Sequence, residues 1–222
     1  MAHPQFQAAH LVLIALVVAR GALAVDQSDL DFIPELTERQ QFSPDFFIFK
    51  FQNADTTTPF GSLRTMFVNN NPALATLPGE GAAQNLVTLG PCGINQPHNH
   101  PRATEISHVT EGKLLFGFAE ENGGRSFIGG NVTKGQTVII PQGLIHFAQN
   151  LDCKEAQFIA TFPNRDPGTQ TTASTFFNLP LSTIRGTTGL SDEQIKKIQA
   201  SVAANRNPSV DRECAKRCGL KY

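Results

Sequence analysis

The chain has almost no net charge and no block of charge of either sign. Its 18 Lys and Arg stand against 19 Asp and Glu over 222 residues, a formal net charge of -1. It has no run of Lys and Arg and no aromatic platform interleaved with one. The sequence therefore gives no electrostatic footprint for nucleic acid or an anionic membrane, and neither is expected as a partner. Long hydrophobic runs are also missing. The one apolar stretch, Leu11 to Ala19, is too short to span a bilayer, and no other segment comes closer. Internal repeats and low-complexity tracts are absent too. What remains is an ordinary globular balance, 40% hydrophobic and 17% charged, in a chain long enough for one sizeable domain.

The short apolar stretch reads as a targeting segment. Ala22-Leu23-Ala24 follows it with the small-x-small pattern of a signal-peptidase site. Residues 1–24 are expected to be a signal peptide, leaving a single domain over 25–222 that is secreted, extracellular or in a cell wall. Four cysteines fall in that mature part: Cys92, Cys153, Cys214 and Cys218. An even count in a secreted chain permits two disulfides. Asn131-Val132-Thr133 is the only acceptable glycosylation sequon, because proline excludes Asn207-Pro208-Ser209. The mature part keeps four histidines: His98, His100, His108 and His146.

From Asn85 to Phe162 short apolar runs alternate with Gly/Pro turns, which predicts strands. They are placed at Asn85–Leu89, Ile106–Thr110, Lys113–Ala119, Thr137–Ile140, Ile145–Asn150 and Ala156–Phe162. Glu111-Gly112 and Gly129-Gly130 are read among the turns. Many short strands of this kind imply an all-β sandwich or barrel. Residues 164–175 are polar and Thr-rich and read as a long loop. A helical segment follows within about 180–206, with a helix at Leu190–Arg206. Ser191 is its N-cap, Gln194 completes a capping box, and Leu190 can staple onto Ile195. A polar, cysteine-containing tail covers 207–222.

His98-Asn99-His100 is an H-x-H pair, and alternate residues of a strand share a face. Glu105 follows closely, and His146 comes from a distant strand. Three imidazoles and one carboxylate suit a borderline divalent ion. His108 is excluded by alternation: if Glu105 faces inward, Ser107 and Val109 share its face and His108 points out.

These residues also carry a resemblance. Gly93-Ile-Asn-Gln-Pro-His98-Asn-His100-Pro-Arg-Ala-Thr-Glu105, running on to Gly112, resembles the first cupin motif. Gly135-Gln-Thr-Val-Ile-Ile-Pro141-Gln-Gly143-Leu-Ile-His146-Phe-Ala-Gln-Asn150 resembles the second. Pro101-Arg102-Ala103-Thr104-Glu105 is similar to the germin box, and the likeness to germin-like proteins and spherulins spans roughly 40–205. The resemblance implies a cupin jelly-roll β-barrel with a small C-terminal helical extension. It implies Mn(II) held by His98, His100, Glu105 and His146, although spacing alone also allows iron, zinc, nickel or copper.

Within that family some members oxidise oxalate with dioxygen to carbon dioxide and hydrogen peroxide. Others dismutate superoxide, and spherulins are encystment proteins with a supposed structural role. The reading is therefore a manganese oxidoreductase acting on oxalate first and superoxide second. The alternative is a non-enzymatic wall, cyst or storage protein with a stabilising metal. Oxalate-oxidising germins are thought to orient substrate with two asparagines ten residues apart, the second three before the first His. Asn85 and Asn95 match both spacings. An amide can donate to a carboxylate without adding competing charge. The cysteine pair that plant germins carry near the mature N-terminus is missing, which points outside the plant group.

Two further expectations follow from the resemblance. The helix face of Ile195, Ile198 and Val202 seeks a neighbouring subunit, giving a homo-oligomer, trimer or hexamer. The strands carrying His98 and His146 should be antiparallel neighbours, and facing residues on such strands keep a nearly constant sum of numbers. The numbers of His98 and His146 total 244, and those of Cys92 and Cys153 total 245. This register predicts a Cys92–Cys153 disulfide, leaving Cys214 to pair with Cys218.

Overall fold

The computed structural model describes residues 45, 48–76, 81–204 and 207–221. The expected signal peptide lies outside the described residues. Two compact units are present. The smaller contributes residues 45, 48–49 and 68–76 to the described part. In it Pro72–Thr76 forms a short helix (α1), whose first turn is capped by Asn71 Oδ1 accepting from the Leu74 N–H at 3.1 Å.

The larger unit carries every sequence motif of interest. Its strands are β1 (Thr56–Thr58), β2 (Gly61–Met66), β3 (Ala83–Leu89), β4 (Gly93–Asn99), β5 (Glu105–Glu111) and β6 (Lys113–Phe118). They continue as β7 (Ile128–Thr133), β8 (Thr137–Ile140), β9 (His146–Gln149), β10 (Ala156–Phe162), β11 (Gln170–Thr171) and β12 (Ser209–Val210). Two antiparallel sheets result. One runs β1-β2-β3-β10-β5-β8, and the other runs β11-β4-β9-β6-β7 with β12 added beside β4. This is the expected jelly-roll arrangement.

Strict alternation builds the core. In β10, Ala156, Phe158, Ala160 and Phe162 point inward while their neighbours face out. Val87 and Leu89 from β3, Leu114 and Phe116 from β6, and Ile140 from β8 meet them. Phe116 and Phe158 pack edge-to-face at 5.1 Å. Burial of each large side chain contributes about 1.5–3 kcal/mol.

The six placed strands all occur; β4 was implied only by the H-x-H pair, and β1, β2, β7, β11 and β12 were not expected. Gly129-Gly130 lies inside β7, paired with Gly117 and Phe116, and is not a turn. Glycine is depleted in strands, so the pair reads as a break when only the sequence is considered. The expected loop over 164–175 contains β11 and the start of a helix, α2 (Thr172–Phe177). Helices α3 (Leu181–Thr188) and α4 (Asp192–Ala204) follow. Ser191 does cap α4: its Oγ accepts from the Gln194 N–H at 3.3 Å, and Gln194 Oε1 accepts from the Ser191 N–H at 2.8 Å. Ile195 is fully buried within the chain, whereas Ile198 and Val202 remain partly exposed.

The disulfides correct the register argument. The bonds are Cys92–Cys214 and Cys153–Cys218, with Cα separations of 5.5 and 5.4 Å. The register itself was nearly right, since the Cys92 N–H donates to Asp152 O at 3.2 Å. What it omitted is the tail. β12 lies alongside β4, and helix α5 (Arg212–Arg217) then packs against this end of the barrel. Residues four apart on a helix share a face with Cβ atoms about 5–6 Å apart, too far for a mutual disulfide. Cys214 and Cys218 therefore each reach a different barrel cysteine. The sulfurs form one cluster, with Cys92 Sγ 3.6 Å from Cys218 Sγ.

Candidate metal centre

Strands of both sheets bring the four expected ligands together inside the barrel. His98 lies on β4 opposite His146 on β9, His100 follows the end of β4, and Glu105 opens β5. Their ligand atoms all lie within 4.8 Å of one another, and each residue is at most 6% exposed. His108 points out to solvent and bonds Thr137 Oγ1, as alternation requires.

The environment sets the tautomers. His98 Nδ1 meets Gln96 O at 2.7 Å, His146 Nδ1 meets Leu144 O at 2.9 Å, and His100 Nδ1 meets Gly168 O. A carbonyl only accepts, so each Nδ1 carries a proton and each ring turns its Nε2 elsewhere. For His146 and His100 that direction is Glu105 Oε2, 3.0 and 3.2 Å away. Ser107 donates to the other carboxylate oxygen at 2.6 Å. Lone pairs facing a carboxylate oxygen in a buried site repel unless a proton or a metal cation lies between them. His100 Nε2 is buried and makes no hydrogen bond. The donor set fits one divalent ion, with Nδ1 contacts that orient each imidazole.

Electrostatics agree. Burial, with His146 nearby, pushes His98 down to about 4, which keeps the ring neutral. Burial alone would push Glu105 up, but His100 and His146 beside it, with His98 near, hold the carboxyl well below the usual carboxylate range. Burial also disfavours the charged form of His146, but the Glu105 carboxylate outweighs it and raises this ring above its ordinary value.

Three of the four ligands, His98, His100 and Glu105, line a cavity of about 190 Å³. That is smaller than sites for drug-sized molecules and suits a ligand of a few atoms. Asn85 and Asn95 both line it. Asn85 comes from β3, where its Oδ1 is buried without a hydrogen-bond partner. Asn95 and His98 differ in parity yet both face inward, because β4 bulges: Gln96 and Pro97 together oppose the single residue Phe147 of β9.

Three contributors were not visible in the sequence. Gly168 orients His100, and it sits on a loop held by Arg102. The Arg102 Nε donates to Asp166 O at 2.7 Å and its guanidinium pairs with the Asp166 carboxylate at 2.7 Å. Gly168 has φ +68°, a left-handed backbone conformation that favours glycine. Ser107 was placed on the inner face but not given a role. Asn207, read only as a failed sequon, lines the same cavity.

Comparison with known proteins agrees with this geometry. The family model described as Cupin matches residues 47–196. Spherulin-1A of Physarum polycephalum is 37% identical over 194 residues, covering 87% of this chain and 76% of that protein. The probable germin-like protein subfamily 2 member 5 of Arabidopsis thaliana is 38% identical over 170 residues, covering 75% of this chain and 78% of the relative. A solved structure of oxalate oxidase with the substrate analogue glycolate superposes with a TM-score of 0.67 at 28% identity, covering 75% of this chain and 86% of that one. With its two sheets, both motifs and the inward His98, His100, Glu105 and His146, the chain belongs to the cupin family, among the spherulins and germin-like proteins.

Proposed function

We propose that His98, His100, Glu105 and His146 hold one divalent ion, manganese, and that the loaded protein is a secreted oxidoreductase of small oxyanions. The observation that carries this reading is the convergence of two imidazole Nε2 atoms on Glu105 Oε2, beside a small cavity lined by the amides of Asn85, Asn95 and Asn207. Four protein donors on an ion that prefers six leave two positions open, and an open metal is more often catalytic than structural.

Oxalate is the first candidate substrate, supported by the likeness to oxalate oxidase. In that reaction oxalate gives up two electrons as its C–C bond breaks, yielding two carbon dioxide molecules. Dioxygen takes those electrons and two protons to become hydrogen peroxide. The metal, when bound, supplies the redox couple and a seat for the carboxylate. Asn85 and Asn95 orient the carboxylate by donating to its oxygens, and the barrel core of Phe158 and Phe162 keeps bulk water out. Superoxide is the second candidate. The reading as a wall, cyst or storage protein with a stabilising metal is favoured by the similarity to Spherulin-1A.

Two disulfides suit an oxidising, extracellular compartment. Asn131 is exposed on β7 and is proposed to carry a glycan. The protein is proposed to act as a homo-oligomer, trimer or hexamer, through the exposed part of its helical segment. The deciding experiment is metal analysis of purified protein, then assays with oxalate and with superoxide. Peroxide evolved from oxalate supports the first substrate and superoxide loss the second, whereas neither activity leaves the structural reading.

A further inference from the structure

We propose that Asn207, delivered by the C-terminal tail, is a positioning residue for a small carboxylate at this centre. It would act by fixing which end of the Asn95 amide faces the cavity. The inference rests on the reading of the centre as a carboxylate site.

The argument starts from a group whose polarity is fixed. The Gln96 backbone N–H can only donate, and it meets Asn207 Oδ1 at 2.9 Å. The oxygen of the Asn207 amide is thereby assigned, so its other end must be the NH₂. That Nδ2 donates to Asn95 Oδ1 at 2.8 Å. The oxygen of Asn95 is then assigned in turn, and its NH₂ lies on the opposite branch of the side chain. Asn95 and Asn207 both line the metal cavity. A donor end toward the cavity attracts a carboxylate oxygen, whereas a carbonyl end repels it. Unassisted, the two ends of a primary amide are nearly the same shape, and packing alone does not choose between them.

The tail is built to hold this relay. β12 pairs Ser209 with Ile94 and Val210 with Gly93, directly beside Asn95 on β4. Thr58 Oγ1 donates to Pro208 O at 2.8 Å, and the Asp211 N–H donates to Cys92 O at 2.9 Å. Asp211 Oδ2 accepts from Gln149 Nε2 at 2.7 Å, and both disulfides then fasten α5. Asn207 is thus fixed close to the point where the tail joins the barrel, and its side chain is aimed at the site.

Glycolate binding to the Mn(II)-loaded full-length protein, measured by calorimetry, tests the relay without relying on turnover. Asn207→Ala frees Asn95 to turn either way and should weaken glycolate binding about three- to tenfold, with metal content unchanged. Asn207→Asp keeps the shape, and so the packing of the tail should alanine impair folding. Its two acceptor oxygens draw the Asn95 NH₂ away from the cavity, so its loss should exceed that of alanine. In an Asn95→Ala background, Asn207→Ala should change nothing further. Equal glycolate affinity in wild type and both single variants overturns the inference while leaving the carboxylate reading intact. An undiminished loss in the Asn95→Ala background also overturns it, since Asn207 would then act independently of Asn95. Absence of glycolate binding in wild type removes the carboxylate reading and this inference together.

Discussion

His146 Nε2 stands 3.0 Å from Glu105 Oε2, with its Nδ1 already committed to Leu144 O. This pair joins the two sequence motifs across 41 residues and supplies half of the donor set. His146→Ala removes one ligand and leaves the Glu105 carboxylate facing a void. Metal content after dialysis should fall well below one ion per chain. Full retention would show that the ion is held elsewhere.

The amides predict a separation of binding from turnover. Asn85→Ala or Asn95→Ala should leave metal content unchanged and lower oxalate turnover on the order of a hundredfold, as for one oriented donor. Superoxide loss should change far less, because it depends mainly on the open metal. Oxalate turnover that survives both substitutions would remove these residues from the site.

Metal affinity should fall with acidity in a direction set by His146. In the metal-free fold its ring is raised above its ordinary value of 6.5 by Glu105, so it stays protonated at a higher pH than a free histidine. An incoming ion must displace that proton. His98, pushed down to about 4, is already neutral there, and Glu105 is already ionised. Binding measured near pH 6 should therefore release at least one proton and tighten as pH rises. Calorimetry in buffers of different ionisation enthalpy reads that proton. Binding near pH 6 with no proton release would contradict the raised state of His146.

How much of this was legible in the sequence depended on distance along the chain. His98 and His100 stand two residues apart, so alternation places them on one inner face, and Glu105 followed from the first motif. His146 followed from the second motif. Asn207 could not be found this way, because it is 112 residues from Asn95 and arrives through a tail whose two-residue strand is too short to leave a pattern. Gly168 was hidden similarly, since its contribution is a backbone carbonyl that no side-chain motif encodes. β7 was missed because Gly129-Gly130 carries no side chain to alternate. The bulge in β4 lies between Asn95 and His98 and marks where simple periodicity fails. It fails there because the strand turns two residues of different parity toward one cavity.

The last prediction concerns the cysteines. Non-reducing peptide mapping should link the Cys92 peptide to Cys214 and the Cys153 peptide to Cys218. A Cys92–Cys153 peptide would instead restore the simple two-strand register and detach the tail from the barrel. The native bonds close segments of 122 and 65 residues, long enough that each constrains the unfolded chain by about 4–5 kcal/mol in the chain-entropy model. Measured values are commonly lower, so the double variant Cys153→Ser/Cys218→Ser should lose about 2–4 kcal/mol, on the order of 10 °C in Tm. The four metal ligands belong to strands β4, β5 and β9 and to the residue that follows β4, none of which that bond joins to one another, so the variant should retain its ion. Removing Cys92–Cys214 as well loosens α5 and leaves the tail held by the short β12 ladder and by hydrogen bonds, those of Thr58, Gln149, Asn207 and the Cys92 carbonyl among them. Stability should fall again, and glycolate affinity should now drop toward that of Asn207→Ala. Loss of the ion at the first step would show that the tail supports the ligands themselves and not only the amides beside them.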